Sequence, residues 1–138
     1  MTATATGPTR LLYTSNDSLL RFAMRLDATL TGLCGLAVAA FADPVSSLTG
    51  LSPTVEYVSG AAFVLYGLVV FTLAALPDLR RAGYAVVAAN LACTVVAVVV
   101  VVGGFAPLTG AGVASTLATG AYTAAFAVLQ YLGVRRLA

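Results

Sequence analysis

The chain of 138 residues contains no histidine and no lysine, and its charged residues make up only 9% of the total. Without histidine, a bis-histidine haem site is excluded, as are most zinc and copper sites. The two cysteines, Cys34 and Cys93, form no Cys-x-x-Cys motif and do not sit in loops within reach of a substrate. Quinone-linked thiol oxidoreductase chemistry, which needs both, is excluded with them, and both are read as small buried apolar side chains. There is also no nucleophile–base pair, no metal-ligand set and no phosphate-binding loop. No enzymatic activity, cofactor or metal is therefore expected. What the sequence does have is apolar surface. Hydrophobic residues reach 60% and the mean hydropathy is +0.99, whereas charged residues alone make up about 25% of soluble domains. This is the composition of a membrane protein, and 138 residues accommodate about four spans with short connections and no separate soluble domain.

All seven basic residues are arginines, and they fall in three groups. Arg10, Arg21 and Arg25 precede or open the first apolar stretch, Arg80 and Arg81 follow the second, and Arg135 and Arg136 follow the fourth. The connections after the first and third stretches carry none. The positive-inside rule then places both termini and the middle loop in the cytoplasm, with the chain in the plasma membrane. Groups of two are too thin for lipid-headgroup or nucleic-acid recognition. The arginines are read as topogenic, and no nucleic-acid partner is expected.

Residues 1–17, rich in Thr, Ala, Gly and Pro, read as a mobile cytoplasmic tail. Residues 18–138 read as one transmembrane domain with spans at 18–42, 54–76, 82–102 and 111–132. The expected fold is all-α, an antiparallel bundle of four transmembrane helices. Ser15, Asn16 or Asp17 can cap the first helix, and Asp17 and Arg21 lie four apart on one face. Ala40-Phe41-Ala42 resembles a signal-peptidase site, but its apolar core would begin at Asp27, so the segment is expected to be retained. Asp43 to Pro53 reads as an external loop, turned by Pro44, Gly50 and Pro53. Glu56 should lie near the outer surface at a helix N-terminus, and Pro77-Asp78 should stop the second span. The third span is rich in valine. In lipid, helix still prevails there, because it satisfies its own backbone.

The first span carries the strongest lead. A bilayer core of about 30 Å needs on the order of 20 helical residues, so the span must take in Asp27. Burying an aspartate there costs roughly 2.5 to 3.5 kcal/mol, and it should face other helices and find donors. Counting about 1.5 Å per residue from the cytoplasmic ends, Asn90 lies level with Asp27, with Tyr66 and Tyr122 slightly deeper. Arg25 and Gln130 lie nearer the interface. These six form the candidate ligand or proton site, with Arg25 able to bend back as a counter-ion. Thr31, Gly35 and Ala39 in the first span form a strip of small residues, as do Ala114, Ala118, Ala121 and Ala125 in the fourth, and both strips are expected to pack against other helices. An internal repeat is also visible. Asp27, Thr31 and Pro44 share their spacing with Asn90, Thr94 and Pro107; each trio is followed by Leu-Thr-Gly; and Phe71 and Phe126 each precede an Arg-Arg pair by nine. This reads as a duplicated helical hairpin with an insertion in its first loop.

The motifs Leu20-Arg21, Arg25-Leu26-Asp27-Ala28, Thr31-Gly32 and Gly35-Leu36 are followed by Leu48-Thr49-Gly50-Leu51 and Ala89-Asn90-Leu91. With Phe126 to Gln130 and Gly133 to Arg136, they make the chain resemble a family of small actinobacterial four-span integral membrane proteins of unassigned function. The resemblance implies fold and topology and implies no activity. The expected role is a structural or accessory component of a membrane complex, surrounded by lipid, with a homodimer or larger assembly open to it. The alternative is a small proton-coupled transporter or lipophilic-ligand binder that uses Asp27.

Overall fold

A computed structural model describes residues 16–137, so nearly all of the expected tail lies outside the described residues. Five helices follow in order: α1 (Ser18–Ala40), α2 (Ala42–Thr49), α3 (Pro53–Leu73), α4 (Arg80–Gly103) and α5 (Gly110–Arg135). There is no strand among the described residues. Helices α1, α3, α4 and α5 are long and apolar enough to cross a membrane, and each end falls within three residues of the expected span.

The expected external loop is largely helical, because α2 covers residues 42–49. Pro44 sits in its first turn, where a missing N–H costs nothing, and Asp43 places an acid at the positive end of the helix. Gly50, at φ 86°, closes α2 in the left-handed region. Two long helices are capped by hydroxyls. Ser52 accepts from the Val55 N–H and Thr109 from the Gly112 N–H. Asp17 holds the corresponding position before α1 without a side-chain capping bond; its carboxylate instead pairs with Arg21 at 2.5 Å. Helix α3 ends at Leu73, a few residues before Pro77-Asp78, in a pair of turns.

Helix α1 packs along α3 and α4 along α5, and the two pairs join mainly where α1 meets α5. Although consecutive, α3 and α4 are not packed along each other. Glycine sets the α1–α3 contact. A Cβ on Gly60 would lie 2.5 Å from the Gly35 carbonyl oxygen and 2.6 Å from the Ala39 nitrogen, and one on Gly67 would lie 2.6 Å from the Ala28 oxygen. Gly35 and Ala39 of the expected strip thus do meet a neighbouring helix. On α5 the expected strip is displaced: Ala114, Ala118, Ala121 and Ala125 do not belong to its buried side. That side carries Gly112, Gly120, Thr123, Ala127, Gln130, Gly133 and Val134. In lipid, alanine is as acceptable outward as inward, so its small size does not orient a helix.

The apolar core lies at one end of the bundle, built from Leu20, Met24 and Ala28 of α1, Val70 and Ala74, Leu79, Val86 of α4 and Val134 of α5. This is the arginine end. Arg21 reaches across to the end of α3, donating to the Ala74 carbonyl at 2.5 Å and the Leu76 carbonyl at 3.0 Å. Arg80 donates to the Leu137 carbonyl. These arginines therefore hold chain ends together as well as carrying charge. Arg21 serves as a C-terminal cap on α3, where a cation also suits the helix dipole. Arg21→Ala is expected to lower unfolding stability by about 1 to 2 kcal/mol, with Arg21→Lys intermediate, as read from unfolding midpoints in detergent. No change in the midpoint would remove the capping role.

At the opposite end, α2 ties the pairs together. The Thr109 N–H donates to the Thr49 carbonyl at 2.9 Å, and the Thr109 hydroxyl donates to the Leu48 carbonyl. Glu56 sits there in the first turn of α3, at the helix N-terminus expected for it, where it is buried and accepts from the Thr49 hydroxyl.

Candidate functional site

One carboxylate joins all four long helices. Asp27, on the buried side of α1, presents Oδ2 to the Tyr66 hydroxyl of α3 at 2.8 Å, to Asn90 Nδ2 of α4 at 2.9 Å and to Gln130 Nε2 of α5 at 2.8 Å. Its Oδ1 accepts from the Thr31 hydroxyl, one turn along α1, at 2.9 Å and from the Tyr122 hydroxyl of α5 at 3.2 Å. The second amide hydrogen of Asn90 goes to Gln130 Oε1 at 2.8 Å, and Thr31 Oγ1 and Tyr122 Oη lie 2.9 Å apart. Asp27 and Gln130 are 0% exposed and Asn90 is 3% exposed. Among the described residues, no buried side-chain nitrogen or oxygen lacks a partner.

Of the six residues expected at the site, Asp27, Asn90, Tyr66, Tyr122 and Gln130 are therefore in direct contact. Arg25 is not among them. Its side is exposed on α1, because two residues are about 200° around a helix, and it forms no ion pair with Asp27. Two neighbours were not anticipated as site residues. Thr31, expected only to pack, bonds directly to the carboxylate. One turn beyond Asn90, Thr94 donates to the Asn90 carbonyl at 3.0 Å and meets the Thr123 hydroxyl at 2.7 Å, fastening α4 to α5. A signal for Thr94 was present, since it stands to Asn90 as Thr31 stands to Asp27 in the repeat.

Beside this network lies a cavity of about 360 Å³. Thr31, Tyr66, Asn90 and Tyr122, all bonded to Asp27, form its polar side, while Leu30, Phe63, Ala89 and Ala118 contribute to an otherwise apolar wall. Cys34 and Cys93 also line it. Cys34 is exposed and Cys93 half-buried, so neither is the buried apolar filler expected from the sequence. The ring of Tyr122 leans on Phe126 with centroids 4.8 Å apart, which holds its hydroxyl towards Asp27.

Chemically, the arrangement is a carboxylate held by five neutral donors. Any negative charge on it has no cationic partner among the described residues, since Arg21 is engaged by Asp17 and by the end of α3 and Arg25 is turned away. Among the described residues, no three acidic or cysteine side chains gather as a metal site. Comparison with protein-family models, with curated proteins and with solved structures finds no match for the chain.

Proposed function

We propose that the protein is a membrane-embedded binding or accessory component, in which Asp27 is the structural lock that joins two helix pairs. One observation carries this reading: the polar atoms of the network are spent on one another, while the space beside it is left unfilled. A carboxylate that collects donors from α3, α4 and α5 fixes the rotation of each helix, because turning any one of them leaves a polar group unpaired in a medium without water. In this reading the four helices form an antiparallel bundle in the plasma membrane with both termini cytoplasmic. The α1–α3 contacts, in which Gly35 faces Gly60 and Ala28 faces Gly67, support the antiparallel course. The clustering of Arg21, Arg80 and Arg135 at the ends of their helices supports the orientation through the positive-inside rule. The protein would act within a homodimer or a larger membrane complex.

A second reading, proton-coupled transport through Asp27, is favoured by the four partners of Asp27 that also line the cavity. Asp27→Asn separates the two. A lock loses thermal stability in nanodiscs, and the wild type releases no protons when lipophilic cations are added. A transport site keeps its stability in the variant, and ligand-linked proton release seen in the wild type disappears.

A further inference from the structure

The cavity has properties that narrow what it can hold. Its wall residues Leu30, Cys34, Ala89 and Ala118 are exposed, so it is open rather than sealed. They fall near the middle of α1, α4 and α5, at a depth where the surroundings of a membrane-spanning bundle are hydrocarbon. An occupant therefore arrives from the bilayer, past the flank where α3 and α4 are not packed, and must itself be lipophilic. Most of the wall asks for nothing more.

The polar side is more selective. The Tyr66, Tyr122 and Thr31 hydroxyls and the Asn90 amide all direct hydrogens into the protein, towards Asp27 or its neighbours. The Thr119 and Thr123 hydroxyls, also in the wall, donate to the Ser115 and Gly120 carbonyls. What remains to face an occupant is oxygen lone pairs, the rings of Tyr66, Tyr122 and Phe63, and the weakly donating thiols of Cys34 and Cys93. Such a surface accepts hydrogen bonds and attracts positive charge, and it has little left to donate. Behind it stands Asp27, one tyrosine hydroxyl away and without a cation of its own. At that separation in a water-poor medium, attraction between unlike charges is weakly screened.

We infer that the cavity binds a lipophilic amine or quaternary ammonium, with its apolar body against Leu30, Phe63 and Ala118 and its cationic end against Tyr66 and Tyr122. The assignment rests on the binding reading above and adds the chemical class of the ligand. It uses Asp27 as a fixed counter-charge, so no step of it requires the lock to open.

The chain has no tryptophan, so Leu30→Trp places a single emission reporter in the cavity wall at an exposed position. The full-length variant, in nanodiscs of zwitterionic lipid, is titrated with decyltrimethylammonium and with its uncharged carbon isostere, 2,2-dimethyldodecane. The cation should shift the emission saturably, at a concentration in the membrane at least about tenfold lower than the isostere. Adding Asp27→Asn should bring the two ligands within about threefold of each other. Adding Ala118→Leu, which narrows the cavity while keeping Asp27 and every donor to it in the chain, should abolish the response and keeps the test decisive where the Asp27 variant does not fold. Equal potency of cation and isostere in the Leu30→Trp protein overturns the ligand class while leaving lipophilic binding intact. A response to neither, or one that survives Ala118→Leu, overturns the cavity as a binding site altogether. The lock itself is judged separately, by the stability of Asp27→Asn.

Discussion

Replacing Asp27 by alanine should lower the free energy of unfolding by about 3 to 5 kcal/mol, measured by denaturant titration in mixed micelles with helix content as the signal. The size follows from the donors left behind. Polar contacts between membrane helices average roughly 0.6 kcal/mol and reach about 1.7, and Asp27 accepts from five groups, four of them on other helices. Removing the acceptor strands Tyr66, Asn90 and Gln130 together in a site 0% exposed at Asp27, with no water to replace it. Asparagine at this position would be gentler. Its amide oxygen can take the place of Oδ2, and its NH₂ can face the Thr31 and Tyr122 hydroxyls, which are able to accept as well as donate. Asp27→Asn is thus expected to cost about 1 to 2 kcal/mol. A loss below about 1 kcal/mol for the alanine variant would show that the network follows the fold rather than fixing it.

The second large effect is steric. Gly60→Ala should cost about 2 to 4 kcal/mol, because the added Cβ meets backbone and not a yielding side chain: the Gly35 oxygen at 2.5 Å and the Ala39 nitrogen at 2.6 Å. Helices α1 and α3 must part to make room, and that separation also pulls the Tyr66 hydroxyl away from Asp27. Gly35→Ala meets the same obstruction from the other side, with the Gly60 oxygen 2.5 Å from its Cβ. The double variant should cost clearly less than the two singles together, since a pair already parted accepts the second methyl. Gly110, whose Cβ would meet nothing within 4 Å, supplies the control, and Gly110→Ala should leave the unfolding midpoint unchanged. If Gly60→Ala matched Gly110→Ala, the close approach of α1 and α3 would not be a feature of the folded protein.

These effects show which parts of the structure were legible beforehand. The four spans were legible because their length and hydropathy are set by the thickness of the bilayer rather than by contacts. The partners of Asp27 were largely legible by depth: counting residues from the arginine groups brings Asn90, Tyr66 and Tyr122 near one level with Gln130 nearer the interface, and a buried carboxylate at that level has few other donors available. Arg25 was misjudged because the reach of a long side chain was set above the angle around the helix. Helix α2 was missed because Pro44 and Gly50 were read as turn residues, when they occupy the first turn and the C-terminal cap of a helix that tolerates them. Half of the α1–α3 contact went unread for a related reason. Gly35 and Ala39 stood in the expected strip of α1, but the strip sought on α5, Ala114 to Ala125, lies off its buried side, whereas Gly60 and Gly67, seven apart on one face of α3, required a backbone close by. Cavities, being left by what does not pack, have no pattern in the chain at all.

The hydrogen bond from Asn90 to Asp27 also bears on how the molecule assembles correctly. Asp27 with Thr31 and Asn90 with Thr94 share one spacing, so pairing of like halves, within one chain or between two, is the wrong assembly that most resembles the right one. Like pairing of the first halves would set Asp27 against Asp27, two carboxylates competing for the same donors. Like pairing of the second halves would set Asn90 against Asn90, with no acid to collect the amides and hydroxyls around it. Only the unlike combination supplies one acceptor-rich and one donor-rich member at the same level. The difference between aspartate at 27 and asparagine at 90 thus favours the unlike pairing over either like one.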